Sequence, residues 1–253
     1  MIKKIVLYLS LFLLSVALFL MATLPVNFVW HEIITPQLKG HKLPVRILAL
    51  EGTVWDGKAL VSYQQLESIV AWDVSLVGLF SLNLPLDIKI ESQAGHAKLN
   101  VSLGLNETRL DLVFAEIDLV QLNPLFSRQR VKLNGQLVAK NIQITLVDQR
   151  VESANGLFSW SGGDIAYPAG RQIHERTLPV FKGQLTTQNS GDIYLGIRDV
   201  GASFDLIEGT LDASGSAMLK VKRKLLDLSD EPWPQNSREQ DVVFKVKKNI
   251  YES

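Results

Sequence analysis

Apolar and polar residues alternate along most of the chain after residue 42, which is the pattern of β-strands with one packed face and one solvent-facing side. Glycines separate the alternating runs, as the turns of hairpins require. The clearest runs are LDIKIES (86–92), HAKLNVSLGL (96–105) and TRLDLVF (108–114), and RVKLNGQLVA, NIQITLV and DIYLGI repeat the pattern. The sequence therefore predicts a mainly β fold, in which an elongated antiparallel sheet is built from successive hairpins.

The N-terminal segment has a different pattern, because residues 5–24 contain no charged residue, no proline and no glycine. As a helix, this run would extend for roughly 30 Å, the thickness of the hydrocarbon core of a membrane. Lys3 and Lys4 precede the run, and no charged residue follows it before Glu32. Since positive charge stays on the cytoplasmic side, we expect a single-pass membrane protein with a cytoplasmic N-terminus and an exported C-terminal domain.

A cleaved signal peptide is the alternative for this segment, and it would export the rest of the chain as well. The apolar run is longer than is usual for a signal peptide, and no small-residue cleavage site ends it. We therefore predict three parts: a transmembrane anchor (1–24), a juxtamembrane segment (25–41) and an exported β domain (42–253). Apolar residues at helical spacing over residues 26–38 predict a short helix in the second part.

Helical patterns are scarce in the third part. Residues 117–126 predict one short helix, broken at Pro124, and the polar tail after Leu228 predicts a loop before a last strand, VVFKVKK. Parallel βαβ units and the nucleotide-binding folds built from them are therefore not expected. Five glycine-containing segments resemble one another: EGTVWDG, NGQLVAK, NGLFSWSG, KGQLTTQ and EGTLDASG. They are either a genuine structural repeat or the similar turns of any hairpin protein.

Composition and motifs point away from catalysis. The 26 basic residues balance the 26 acidic ones, which argues against a nucleic-acid partner, and the absence of cysteine excludes thiolate chemistry. The segment GTVWDGKA resembles a P-loop, but Ala59 stands where the loop needs a hydroxyl. The segment HEIIT begins like a zinc-protease helix, but Thr35 replaces its second histidine. We predict no enzyme activity, no cofactor and no metal site.

Two groups of lysines alternate with other residues near the C-terminus. Lys220, Lys222 and Lys224 form the first group, and the second is Lys245, Lys247 and Lys248. Lysines of this kind protect an edge strand from further pairing. The other interpretation is a surface for anionic lipid or for an acidic partner.

Gly52 and Gly57 bracket four residues and predict a short strand with Thr53 and Trp55 on one face. We expect Trp55 to pack on the β core and its indole N–H to reach a carbonyl group.

Two further tryptophans, Trp72 and Trp160, lie on predicted strands. For each tryptophan the interpretations are a core residue or an exposed docking anchor.

Together these features resemble the protein N family of bacterial type II secretion systems. The similarity consists of the anchor, Leu24-Pro25, LEGTVWDGKA (50–59), Ala71-Trp72, Asn155-Gly156 with Trp160, and the late strand pair from Gly209 to Gly215. Val26 departs from the family, which tends to have alanine after the proline. The family-motif residues, as possible interaction residues, are Gly52, Thr53, Trp55, Gly57, Trp72 and Trp160.

The resemblance implies a single-pass inner-membrane protein whose β domain (42–253) is periplasmic and groove-like. It also implies an accessory component of the secretion machinery that acts through periplasmic contacts with other type II secretion components and touches inner-membrane lipid. It brings no catalytic or cofactor-binding residues. The alternative is a membrane-anchored, lipid-handling β-groove protein, which would need apolar side chains that the protein itself leaves uncovered.

Overall fold

A computed structural model describes residues 2–37, 45–76, 78, 82–169, 172–231 and 236–251. Helix α1 (Ile2–Ala22) opens the chain. Within it, Lys4–Ala22 is long and apolar enough to cross a membrane, with a mean hydropathy of 2.6 and no part buried against the protein. The apolar run that the sequence singled out therefore forms one uninterrupted helix.

A second helical segment follows α1 after Pro25. It consists of α2 (Val26–Phe28), a π-helical stretch (Val29–Ile34) and α3 (Thr35–Gln37). The helix predicted for residues 26–38 is confirmed as far as Gln37. Residue 38 and the predicted boundary between the juxtamembrane segment and the β domain lie outside the described residues, so the domain boundaries stay a prediction.

The rest of the described chain is mainly β, which confirms the predicted fold class. The strands are β1 (Arg46–Gly52), β2 (Asp56–Tyr63), β3 (Leu66–Val74), β4 (Leu84–Ser92), β5 (Gly95–Leu103), β6 (Glu107–Asp118), β7 (Lys132–Leu133), β8 (Gln136–Val147), β9 (Arg150–Trp160), β10 (Gly163–Ala169), β11 (Gln172–Leu178), β12 (Phe181–Thr187), β13 (Ile193–Asp199), β14 (Ile207–Leu211), β15 (Ser216–Lys222) and β16 (Val242–Asn249). Thirteen of them form one antiparallel sheet in chain order, which omits only β7, β10 and β11. Those three form a small separate sheet.

The register of the large sheet places apolar residues opposite one another on one face and polar residues on the other. One row crosses all thirteen strands and contains Leu50, Ala59, Val70, Ile90, Ala97, Ala115, Ala139, Phe158, Gly183, Ile197, Ile207, Val221 and Phe244. Only small members of this row are buried, and Phe244 is 56% exposed. We call this side of the sheet the apolar face.

The C-terminal part of the sheet curls. The backbone N–H of Val151, at the start of β9, donates to the hydroxyl of Tyr251 at 3.0 Å. The guanidinium of Arg150 lies 5.7 Å from the ring of the same tyrosine. In a flat sheet β9 and β16 would be about 24 Å apart, because five inter-strand steps of about 4.8 Å separate them. The strands from β9 to β16 must therefore bend until their ends meet.

Two local predictions need correction. The strand β6 continues to Asp118, and the helix predicted for residues 117–126 begins only with α4 (Leu119–Leu122). A 3-10 helix (Asn123–Gln129) follows, so Pro124 lies in the first turn of a helix instead of ending one. Proline is tolerated there because the first N–H groups of a helix have no partner within it.

The second correction concerns the first group of lysines, Lys220, Lys222 and Lys224. Lys224 lies in α5 (Arg223–Leu228), so the first lysine group does not share one strand. Moreover, β15 pairs with β14 and β16 and is not an edge. The predicted edge position is confirmed for β16, the last strand of the sheet, which carries Lys245, Lys247 and Lys248. Whether these lysines prevent pairing or bind an acidic partner stays a prediction. The predicted loop before it is confirmed over its described residues.

The similar glycine segments do not occupy equivalent positions. Gly52 and Gly135 lie at the ends of strands, with φ near +90°, where glycine suits a turn. Gly156, Gly183 and Gly209 lie inside strands. The first glycine of each segment therefore lies at a turn in the first two segments and within a strand in the other three, so the five segments are not one repeated hairpin.

Candidate functional site at the membrane-helix junction

The segment from Gly52 to Gly57 is the turn between β1 and β2, so the strand predicted inside it is wrong. The hydroxyl of Thr53 accepts hydrogen bonds from the backbone N–H groups of Trp55 at 3.2 Å and Asp56 at 3.1 Å. The backbone N–H of Thr53 donates to the carbonyl of Asp56 at 2.8 Å. A threonine hydroxyl that bonds its neighbours' backbone favours such a turn over a continuing strand.

This turn contacts the C-terminal end of α1. The indole N–H of Trp55 donates to the carbonyl of Met21 at 2.7 Å, and the backbone N–H of Val54 donates to the carbonyl of Leu24 at 3.1 Å. The last carbonyl groups of a helix have no partner within it, so the turn caps the membrane helix. The expected carbonyl partner of Trp55 is confirmed, although it belongs to α1 and not to the sheet.

Two further contacts extend the junction. Thr53 forms an isolated antiparallel bridge with Pro25, and the side-chain amide of Asn27 donates to the carbonyl of Leu50 at 3.0 Å. Glu51 and Lys58 form an exposed ion pair at 3.0 Å beside the turn. We call the contacts of residues 21–27 with residues 50–55 the junction.

The other two family-motif tryptophans pack within the sheets. Trp72 lies directly opposite Gly57, where a Cβ atom would be 2.6 Å from its ring. Trp160 donates its indole N–H to the carbonyl of Asn134 at 2.9 Å, and its ring centroid lies 5.6 Å from that of Phe181. Both tryptophans are half-buried. These contacts give each ring a packing role, and whether either also binds a partner stays a prediction.

A polar cluster around Glu231 was not predicted from the sequence. The carboxylate of Glu231 accepts a hydrogen bond from the hydroxyl of Tyr167 at 2.5 Å and lies 2.6 Å from Nδ1 of His174. Arg176 donates to the carbonyl of Ser229 at 2.5 Å and lies 3.8 Å from Glu231. The cluster links the β10–β11 hairpin to the segment after α5, and so forms a second closure of the curled strands.

The Glu231 cluster gives an expected pH dependence. The hydrogen bonds from Tyr167 and His174, with the nearby charges of His174 and Arg176, hold the pKa of Glu231 below its ordinary value. A lowered folded-state pKa stabilises the fold above the unfolded-state pKa, and this contribution is lost as pH falls through the folded value. We expect Glu231→Gln to lower the midpoint of thermal unfolding at pH 7.

Below the folded-state pKa of Glu231, wild type and Glu231→Gln should converge, because the native carboxyl is then neutral too. Thermal unfolding measured across the acid range checks this. Asp230→Gln, at the neighbouring exposed position, is the matched control. A difference between wild type and Glu231→Gln that stays constant down to strong acid would contradict the role of the carboxylate.

Within the described residues, no group of three histidine, aspartate or glutamate side chains is placed to hold a metal ion. What the structure does define is a class: an apolar helix capped by the first hairpin of a large sheet that is apolar on one face.

A family model described as type II secretion system protein N matches residues 44–232, well over half of the chain. The chain therefore belongs to the type II secretion system protein N family, as the sequence features suggested. No curated protein and no solved structure matches it.

Proposed function

We propose that the chain is an accessory component of the type II secretion machinery, anchored in the inner membrane by α1. It contributes to protein secretion across the outer membrane through contacts of its periplasmic β domain with other secretion components. Family membership supports a place in the secretion machinery. The proposed topology rests on the apolar helix and on the lysines that precede it.

The junction is the structural observation that best supports the accessory role. A sheet tied by several hydrogen bonds to the end of a membrane helix is held at the membrane surface, whereas a flexible linker would leave it free. The proposed contacts use the faces and edges of the sheet. We therefore assign it a scaffolding role.

Deletion of the chain tests the proposal. We expect secreted proteins to accumulate in the periplasm of the deletion strain, and re-expression of the full chain to restore their release. A chain whose residues 1–24 are replaced by a cleavable secretory signal is the matched control, since it reaches the periplasm without the anchor. Unchanged secretion in the deletion strain, with no secretion component crosslinked to the full chain, would refute the proposed function.

The apolar face favours a second candidate, a lipid-handling groove. Its row of apolar residues stays largely half-exposed across thirteen strands, as a surface that covers acyl chains would. Lipid extraction from the purified full chain, followed by mass spectrometry, tests this. A bound lipid in stoichiometric amount would support the groove function, and a chain free of lipid beyond the detergent background would exclude it.

A further inference from the structure

The two edges of the 13-stranded sheet differ. At β1, a bulge between Ile47 and Ala49 interrupts the register, and Asn27 donates to the carbonyl of Leu50. At β16, a bulge lies near the start of the strand, but the six residues from Phe244 to Asn249 pair with β15 without a break, compared with four from Ala49 to Gly52 of β1. In the described part of the chain no strand lies beyond β16. A longer regular and uncovered edge accepts another strand more readily than a short and partly covered one.

The backbone of β16 presents hydrogen-bonding groups to that open side. The N–H of Ile250 donates to the carbonyl of Gly215 at 2.9 Å, so Ile250 faces β15. In an antiparallel ladder, successive residues face the neighbouring strand and the opposite side in turn. Ile250, Lys248 and Val246 therefore face β15. The N–H and C=O groups of Lys245 and Lys247 face the open side of the sheet. They form one strip of donors and acceptors along the open edge.

The side chains along this strip carry uncompensated positive charge. Lys245 lies directly opposite Lys220, and Lys247 follows on the same polar face. Like charges placed opposite each other in a sheet are destabilising. None of the ion pairs in the described residues includes these three lysines. Glu208 lies opposite Lys220 but forms an ion pair with Lys222. Hydrogen bonds from Ser214 and Ser216 chiefly lower the pKa of Asp212, and the charge of Lys247 lowers it to a smaller degree.

A second pair of opposite lysines, in the middle of the sheet, has a different charge environment from the pair at β16. Lys89 lies opposite Lys98 on the same polar face. Asp87 and Glu91 flank Lys89 two residues away on that face, so the charge is balanced within the sheet. At β16, the corresponding neighbours of Lys245 are Val243 and Lys247. The β16 edge therefore keeps an excess of positive charge, which an acidic partner would balance.

We propose that the open edge of β16 binds an extended segment of a partner protein in which acidic and apolar residues alternate, and that this segment becomes a fourteenth strand. Its acidic side chains pair with Lys245 and Lys247. Its apolar side chains lie on the apolar face beside Phe244 and Val246, which are 56% and 43% exposed. Main-chain hydrogen bonds supply affinity and the two side-chain rows supply specificity.

The position of the edge favours a protein over the anchoring membrane as the partner. The junction holds the β1 side of the sheet against α1, and β16 is the opposite edge. Because the curl brings the end of β16 to the start of β9, its separation from β1 is set by the seven inter-strand steps between β1 and β9, roughly 34 Å along the sheet at about 4.8 Å a step. The proposal rests on the proposed function, because it takes the partner segment to belong to another secretion component.

Binding of a synthetic peptide to the full chain in nanodiscs tests whether the edge of β16 accepts a further strand. The probe is a fluorescein-labelled peptide of alternating glutamate and valine, eight residues long like β16. We expect a saturable rise in fluorescence anisotropy that salt weakens, and no rise with a lysine–valine peptide. The Lys245→Glu/Lys247→Glu variant should reverse this preference. The Lys89→Glu/Lys98→Glu variant is the matched control and should bind like wild type.

A backbone variant separates strand addition from simple charge attraction. Lys247→Pro removes an outward N–H without breaking a bond to β15, so the edge strand should still fold. We expect it to weaken peptide binding by about tenfold or more, whereas Lys247→Gln, which keeps the N–H, should weaken it less. Circular dichroism checks that both variants keep the β fold.

Three results would overturn the proposal: no peptide binding, equal loss in the Lys89/Lys98 control, or equal effects of Lys247→Pro and Lys247→Gln. Binding of anionic vesicles that depends on Lys245 and Lys247, without peptide binding, would show a lipid surface instead. These outcomes are distinct from failure of the proposed function. A strain that secretes normally without the chain refutes that function, whatever the peptide does.

Discussion

Replacing Trp55 with alanine should destabilise the β domain and loosen it from the membrane helix. The indole N–H bonds the carbonyl of Met21, and the ring is half-buried at the junction. Truncation of a buried tryptophan costs roughly 3–5 kcal/mol, and we expect about 3 kcal/mol for a ring that is only half-buried. Thermal unfolding of the full chain in detergent should show a lower midpoint. Limited proteolysis should also cut sooner between α1 and β1.

A second variant, Trp55→Phe, separates the contribution of the hydrogen bond from that of the ring. It keeps most of the ring but removes the N–H donor, so we expect a loss of about 1 kcal/mol, the value of one hydrogen bond. Trp30→Phe serves as the control, since Trp30 is another half-buried tryptophan of the membrane-proximal part. Unchanged melting in Trp55→Ala, together with lost crosslinking to secretion partners, would instead make Trp55 a docking residue.

The alternating pattern predicted the sheet well because its physical cause is local. Each strand has one apolar and one polar face, so a run such as LDIKIES becomes part of β4 (Leu84–Ser92) whatever its neighbours are. The apolar run 5–24 predicted α1 for a similar reason. In both cases the signal is contained within the element itself.

The features that the sequence did not predict depend on contacts between distant residues. Trp55 bonds Met21 across 34 positions, and Glu231 bonds Tyr167 across 64, so no spacing along the chain indicates either pair. The helix α5 has only six residues, too few to show a helical period, and its lysine continues the alternation of β15. The Gly52–Gly57 turn resembles a strand in sequence because Thr-Val-Trp is typical of strands.

Gly183→Ala should destabilise the fold although the change adds a single methyl group. Gly183 lies inside β12, directly opposite Phe158 of β9, and the phenyl ring covers it. A Cβ atom at this position would lie within 2.6 Å of three ring carbons, so the ring must move. Overpacking of this kind costs about 1–3 kcal/mol. Thermal unfolding of the full chain should therefore show a clearly lower midpoint.

A double-mutant cycle identifies the cause of that loss. Phe158→Leu should destabilise the chain by itself, because the ring covers the glycine of the neighbouring strand. Adding Gly183→Ala to it should cost less than in wild type, with a coupling of about 1 kcal/mol, since the colliding ring is gone. Gly201→Ala is the control, since the atom a Cβ would meet there is a carboxylate oxygen of Asp199 at 3.3 Å. Additive losses in the cycle would mean that Gly183 is needed for its backbone and not for the space it leaves to Phe158.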